Sequence, residues 1–174
     1  MRKINILTKS VYNGIAAGEV IDRPYSAVKE LIENSLDAGA TEIEIYIERG
    51  GKQLIKVVDN GGGIERDDLR AAFFPHATSK ISNADDLDNI RTLGFRGEAL
   101  ASISVISKVE LTSVTRGNQA YKVECIDGNV GNIEPAALDC GTEICVRDLF
   151  YNTPVRAKFL KPEKKEETDI TSFV

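Results

Sequence analysis

The period of the hydrophobic positions changes along this chain, and the changes mark its elements. Ile43, Ile45 and Ile47 alternate with Glu44, Tyr46 and Glu48 as far as Gly50-Gly51, and the mostly apolar run Leu54 to Val58 follows. That order predicts two strands joined as a hairpin. Partial alternation near Lys108 to Thr115, Gln119 to Ile126 and Thr142 to Leu149 predicts later strands. Helices are predicted near Ile15 to Val20, Tyr25 to Leu36, Glu65 to Phe73 and Gly97 to Ser107. Thr153-Pro154 reads as an N-cap followed by the first residue of a short helix through Leu160. Hairpins mix with helices and no βα unit repeats, so the fold class predicted is α+β, a two-layer sandwich with its helices on one face.

The segment from Tyr25 to Leu36 carries more than a core. At about 100° per residue, Glu30, Asn34 and Asp37 fall within roughly 60° of one another, while Val28, Leu31, Ile32 and Leu36 take the other side. A carboxylate one turn before an amide suits a site in which the acid orients a water and the amide oxygen faces a hard cation such as magnesium. Gly39 supplies a helix stop. Further on, the strand from Leu54 delivers Asp59 into Asn60-Gly61-Gly62-Gly63. Glycines let backbone approach a flat ligand, and a carboxylate accepts a hydrogen bond from an exocyclic amine.

A third candidate is the loop Thr92-Leu93-Gly94-Phe95-Arg96-Gly97-Glu98-Ala99-Leu100, which runs into an apparent helix bearing Leu100, Ile103 and Ile106. Unpaired amides at a helix start suit phosphate oxygens. Before it, Phe74-Pro75-His76-Ala77-Thr78-Ser79-Lys80-Ile81 and the acidic stretch Asn83 to Asp88 combine hydroxyls, a lysine and poor periodicity, the character of a lid that closes over phosphates. Gly141-Thr142 opens the last strand, and its hydroxyl could support Asp59.

With 174 residues and 42% hydrophobic content, the chain has material for one good core and not for two substantial domains. No apolar run has the length of a membrane span, and Met1-Arg2-Lys3-Ile4-Asn5 has no signal-peptide character, so the expectation is a cytoplasmic protein without membrane contact. Cys125, Cys140 and Cys145 form no CxxC pair and read as reduced, strand-associated thiols, with neither zinc nor catalysis assigned to them. The net charge of −5 opposes non-specific contact with DNA, and Arg156, Lys158, Lys161, Lys164 and Lys165 are diluted by Glu163, Glu166 and Glu167. Arg23 and Lys29 read as solvated or capping charges, with Arg23-Pro24 marking a helix boundary.

The ordered set of motifs resembles the GHKL family of ATPases, which takes in the ATP-binding part of DNA gyrase, ATP-dependent chaperones, sensor histidine kinases and the MutL mismatch-repair proteins. The longer strings Ile15 to Pro24, Glu33 to Ala40, His76 to Ile81, Gly94 to Ile103 and Asp148 to Pro154 look like the MutL branch and extend over nearly the whole chain. The resemblance implies a Bergerat-type fold with a mixed sheet, and ATP and Mg2+ as cofactors. By the same resemblance Glu30 is the general base, Asn34 the magnesium ligand, and Asp59 the adenine-reading carboxylate, supported through water by Thr142. Gly61 and Gly63 lie under the nucleotide. Thr78, Ser79, Lys80, Arg96, Gly97 and Glu98 belong to the phosphate-contacting lid and its hinge, and Asp37, Ala38, Gly94, Phe95, Ala99 and Leu100 complete the nucleotide set.

Residues 163–174 read as a charged, weakly patterned tail after a nucleotide-binding domain over residues 1–162, and the likeness implies that it leads towards a second domain that supplies a lysine to the terminal phosphate. The isolated chain is then expected to be a monomer with weak hydrolysis, its N-terminal Ile4, Ile6 and Leu7 resembling a segment that packs across a partner. DNA, a mismatch-recognition protein and a second copy are implied partners of the full-length protein. The alternative is a GHKL ATP-binding switch of chaperone or topoisomerase type. His76, the single histidine, is read as part of the lid and not as a phospho-acceptor.

Overall fold

The computed structural model describes residues 6–75 and 98–174. Its helices are α1 (Lys9–Val20), α2 (Pro24–Asp37), α3 (Ala99–Val105), α4 (Pro154–Lys158) and α5 (Glu163–Phe173). Its strands are β1 (Ile43–Glu48), β2 (Leu54–Asp59), β3 (Lys108–Val114), β4 (Tyr121–Ile126), β5 (Asn129–Pro135) and β6 (Gly141–Arg147). The strands form one sheet in the order β1-β2-β6-β3-β4-β5.

Every pairing among the described residues of that sheet is antiparallel, where the family resemblance implied a mixed sheet. The reason lies in the last strand. β2 and β3 run the same way, but β6 inserts between them and pairs antiparallel with both, so they form no parallel pair.

Strand register sorts the residues into rows. One row runs Ile45, Val57, Ile144, Leu111, Val123 and the next Ile47, Ile55, Val146, Val109, Cys125. These side chains face α2 and α3 and, with Leu31, Ile103 and Ile106, make the core. The opposite face carries charge pairs, Lys56 to Glu143 at 2.8 Å and Lys122 to Glu110 at 3.0 Å. The helices therefore cover one face, as the alternation predicts.

β5 escaped the sequence reading although its signal was present. Asp127-Gly128, both at positive φ, turn the chain from β4 into β5, and Asp-Gly is a strong two-residue hairpin signal. The stretch predicted as a helix from Glu65 to Phe73 is instead a pair of 3₁₀ turns, Arg66–Asp68 and Ala71–Phe73, pinned by the buried Leu69 and Phe73. Pro75 biases Phe74 to the extended conformation it adopts (φ −91°, ψ 138°), which stops any helix there.

The stretch read from composition as a charged tail, 163–174, instead holds α5, with Glu166 and Ile170 buried against the body. Arg23 is not a solvated charge, because its guanidinium binds Glu166 and Asp169 of that helix. Lys161 and Lys165 pair with Asp169 at 2.9 Å each on the surface, and Arg156 donates to Gly18 O at 2.9 Å, so three of the five basic residues of this cluster have partners within the molecule.

Candidate functional site

Beyond the apolar rows the sheet ends in a polar one. Ile43, Asp59, Thr142, Ser113 and Tyr121 stand side by side in register across β1, β2, β6, β3 and β4. Asp59, Thr142 and Ser113 are all buried. A buried polar row requires internal partners, and each side chain has them. Asp59 Oδ1 accepts from the Gly61 amide at 2.9 Å, and Oδ2 accepts from Ser35 Oγ at 2.7 Å. Ser113 Oγ accepts from the Ile64 amide at 2.9 Å and donates to Gly141 O at 2.9 Å, which makes Thr142 the donor in the 2.8 Å hydroxyl pair with Ser113.

Ser35 and Ser113 are the site neighbours that sequence reading missed. On a wheel of about 100° per residue the buried positions of α2, namely Pro24, Ala27, Val28, Leu31 and Ser35, span an arc of roughly 100° with Ser35 inside it. Leu36, expected on the core side, falls outside the arc and is exposed. The signal for Ser35 was a hydroxyl at a core position of an amphipathic helix, which calls for a buried acceptor such as Asp59. Ser113 had an equivalent signal, a polar residue on the inward side of β3 among Val109 and Leu111.

The glycines match this packing. Gly63 has φ 75°, and a Cβ there would lie 2.1 Å from Val114 O. Gly141 has φ 71°, and a Cβ there would lie 2.0 Å from Asp59 O. Neither place accepts a side chain, so the glycine turn and β6 close tightly around Asp59. Asn60 secures the same turn by accepting from the Thr41 and Glu42 amides at 2.8 and 3.0 Å. Gly62 N donates to Ala38 O at 2.9 Å, joining the turn to the end of α2. Gly39 closes that helix as predicted, with Gly39 N to Leu36 O at 2.9 Å and Ala40 N to Ser35 O at 3.0 Å.

Glu30, Asn34 and Asp37 are half-buried residues of α2, with Ala38 exposed at its C-cap. Glu98 is the N-cap of α3, followed by half-buried Ala99 and Leu100. Thr78, Ser79, Lys80, Gly94, Phe95, Arg96 and Gly97, with His76 and Ile4, lie outside the described residues. The structure thus brings Asp59, Gly61, Gly63 and Thr142 together with the end of α2. An ionised carboxylate there accepts only, and one donor on each oxygen leaves capacity for a ligand N–H.

Residues 22–133 match the family model described as histidine kinase-, DNA gyrase B- and HSP90-like ATPase. The chain belongs to this ATPase family. Among curated relatives in the family, it is 54% identical over 173 residues to the DNA mismatch repair protein MutL of Clostridium acetobutylicum, covering 99% of this chain and 28% of the relative. It is 55% identical over 175 residues to MutL of Escherichia coli O9:H4, covering 98% of this chain and again 28% of the relative. The chain therefore spans little more than a quarter of the length of these proteins. Solved structures agree in fold. The Aquifex aeolicus MutL ATPase domain complexed with ADP superposes with a TM-score of 0.67 at 37% identity, over 88% of this chain and 54% of that one. The N-terminal domain of a DNA repair protein gives a TM-score of 0.76 at 34% identity, over 92% and 46%.

Proposed function

We propose that this chain is the ATP-binding and ATP-hydrolysing domain of a MutL-type mismatch-repair protein. The observation that carries the reading is Asp59, buried at the end of β2 with its carboxylate held by Ser35 and Gly61 beside a turn that excludes side chains. Such a carboxylate accepts from the exocyclic amine of adenine and rejects the carbonyl that guanine presents at that position. On the neighbouring helix, Glu30 orients and deprotonates the attacking water. The Asn34 amide oxygen, with carboxylates on the same helical face, is a hard-donor set that fits Mg2+. When bound, that cation neutralises charge on the phosphates.

The ADP-bound MutL relative, the match over nearly the whole chain and the hydrolytic residue type at Glu30 all support this reading. Among the described residues no helix is long and apolar enough to cross a membrane, and we place the protein in the cytoplasm. In the full-length protein, nucleotide binding drives pairing with a second copy. That switch changes contacts with DNA and with the mismatch-recognition protein. A lysine from outside these residues completes the charge stabilisation at the terminal phosphate, so this chain alone binds ATP and turns it over slowly. Calorimetric titration with ATP and GTP, each with and without magnesium, tests the proposal. ATP binding strengthened by magnesium is expected, and equal affinity for GTP would overturn the role of Asp59.

A further inference from the structure

We propose that Arg23 is a positioning residue for Glu30, held in place by Glu166 and Asp169 of α5; the inference rests on the nucleotide reading above. Arg23 is the N-cap of α2, seven positions before Glu30 and eleven before Asn34, yet its side chain does not cap the helix. It crosses to α5 instead. Nε and Nη2 reach Glu166 Oε2 at 3.1 and 2.8 Å, and Nη2 also reaches Asp169 Oδ2 at 2.5 Å. The other oxygen of Glu166 accepts from the Lys161 amide at 3.1 Å, and the Glu166 side chain is 1% exposed.

A carboxylate buried that deeply needs its cation, because removal of one partner leaves the other charge in a poor solvent. α5 is attached to the body by contacts that do not involve Arg23. The Glu163 carbonyl lies 2.6 Å from the place a Gly50 Cβ would occupy, closer than any side chain permits, and Lys52 Nζ donates to Lys161 O at 3.0 Å. The other end of α2 is held by Ser35 on Asp59 and by Ala38 O on Gly62 N.

Glu30 and Asn34 therefore sit on a helix fixed at two ends by different parts of the fold. Asp59 depends on only one of these fixings, since it belongs to β2. Loosening the Arg23 end should displace Glu30 while leaving in place the base-reading end and Asn34, which adjoins Ser35, and displacements of about 1 Å are enough to cost a site much of its function.

The test uses Arg23→Lys, which keeps the charge and loses the forked geometry, and Glu166→Gln, which keeps the shape and loses the charge. Two readouts are taken on the folded chain. The first needs no nucleotide: amide exchange at residues 28–34 should quicken by about tenfold in both variants, with Asp59 and Gly61 amides unchanged. The second is single-turnover hydrolysis with protein in excess over ATP, whose rate should fall by about fivefold or more while ATP affinity stays within about twofold. A merely structural role would slow or quicken both regions together and would lower rate and affinity together, and either pattern overturns the proposal. So does unchanged exchange in α2. Failure of the native chain to bind ATP at all would remove the nucleotide reading, while the exchange result would still decide whether Arg23 fixes the helix.

Discussion

Ser35 Oγ donates its proton to Asp59 Oδ2 across 2.7 Å, in preference to the Leu31 carbonyl at 3.2 Å, and so ties the last turn of α2 to the last residue of β2. This bond sets the orientation of the one buried carboxylate of the polar row. Replacing Ser35 by Ala leaves Asp59 Oδ2 without that donor, at a cost of about 1–3 kcal/mol. A lower urea midpoint with an unchanged slope is expected for Ser35→Ala. Asp59→Asn presents an NH2 where the ligand also donates, so ATP binding should be lost with little change in the fold. A nucleotide affinity unaltered in Asp59→Asn would exclude that residue from base recognition.

The difference between Ser35 and Leu36 shows where sequence patterning stops. Periodicity located α2 to within a residue and put Glu30, Asn34 and Asp37 on one side, because helix geometry is local. Choosing between Ser35 and Leu36 for the interior needed knowledge of what α2 packs against, and Asp59 lies 24 positions away in sequence. The same limit applies to α5. Its charges look solvated until Arg23, more than 140 positions distant, is placed beside Glu166. Antiparallel pairing throughout the sheet likewise depends on β6 entering between β2 and β3, a long-range event that no local pattern encodes. The glycine turn after Asp59 was legible because its motif is contiguous.

Glu30 and Asn34 are separable by measurement. In the full-length protein, Glu30→Ala should keep ATP affinity and lose turnover by about 10²-fold or more, since a general base contributes to rate and not to ground-state binding. Asn34→Ala should weaken magnesium-dependent binding. Paired titrations and steady-state assays check both, and identical losses of affinity in the two variants would cancel the division of roles.

Glycine substitutions should change sign with position. Gly63→Ala and Gly141→Ala place a Cβ within 2.1 and 2.0 Å of backbone oxygens at positive φ, so each should destabilise by about 2 kcal/mol or more. Gly14 lies inside α1 with nothing within 4 Å of an added Cβ. Gly14→Ala should stabilise by about 0.5–1 kcal/mol. Denaturant unfolding of the three variants gives the comparison, and a destabilised Gly14→Ala would mean α1 is packed differently.

The three cysteines are unpaired, Cys140 exposed and Cys125 and Cys145 buried. Burial pushes the Cys125 and Cys145 thiols up, away from the reactive thiolate. Native protein at neutral pH should show one rapidly alkylated thiol, assigned to Cys140 by mass spectrometry, and two that react only on unfolding. Fast modification of Cys145 would show that the solvent face of the sheet opens.

Asp169 makes α5 docking sensitive to acid in a defined direction. Hydrogen bonds from Arg23, Lys161 and Lys165 hold its carboxyl well below the usual carboxylate range. A group depressed in the folded state contributes its stabilisation above its unfolded value, about 3.9, and loses it as pH falls towards the folded value. The α5 contacts should accordingly persist from neutrality to about pH 4 and weaken below it. The Tyr25 and Phe173 ring signals report directly on docking, because their rings meet at 5.3 Å. Salt should act on only part of this network. Lys161 and Lys165 are exposed enough to be screened, whereas the Arg23 contact with the buried Glu166 is shielded from ions. Asp169→Asn should therefore reduce the acid and salt dependence of the ring signals without releasing α5 at neutral pH. Release of the helix near pH 6 in the native chain, or in Asp169→Asn at pH 7, would show that Glu166 does not hold α5 to Arg23 as the structure indicates.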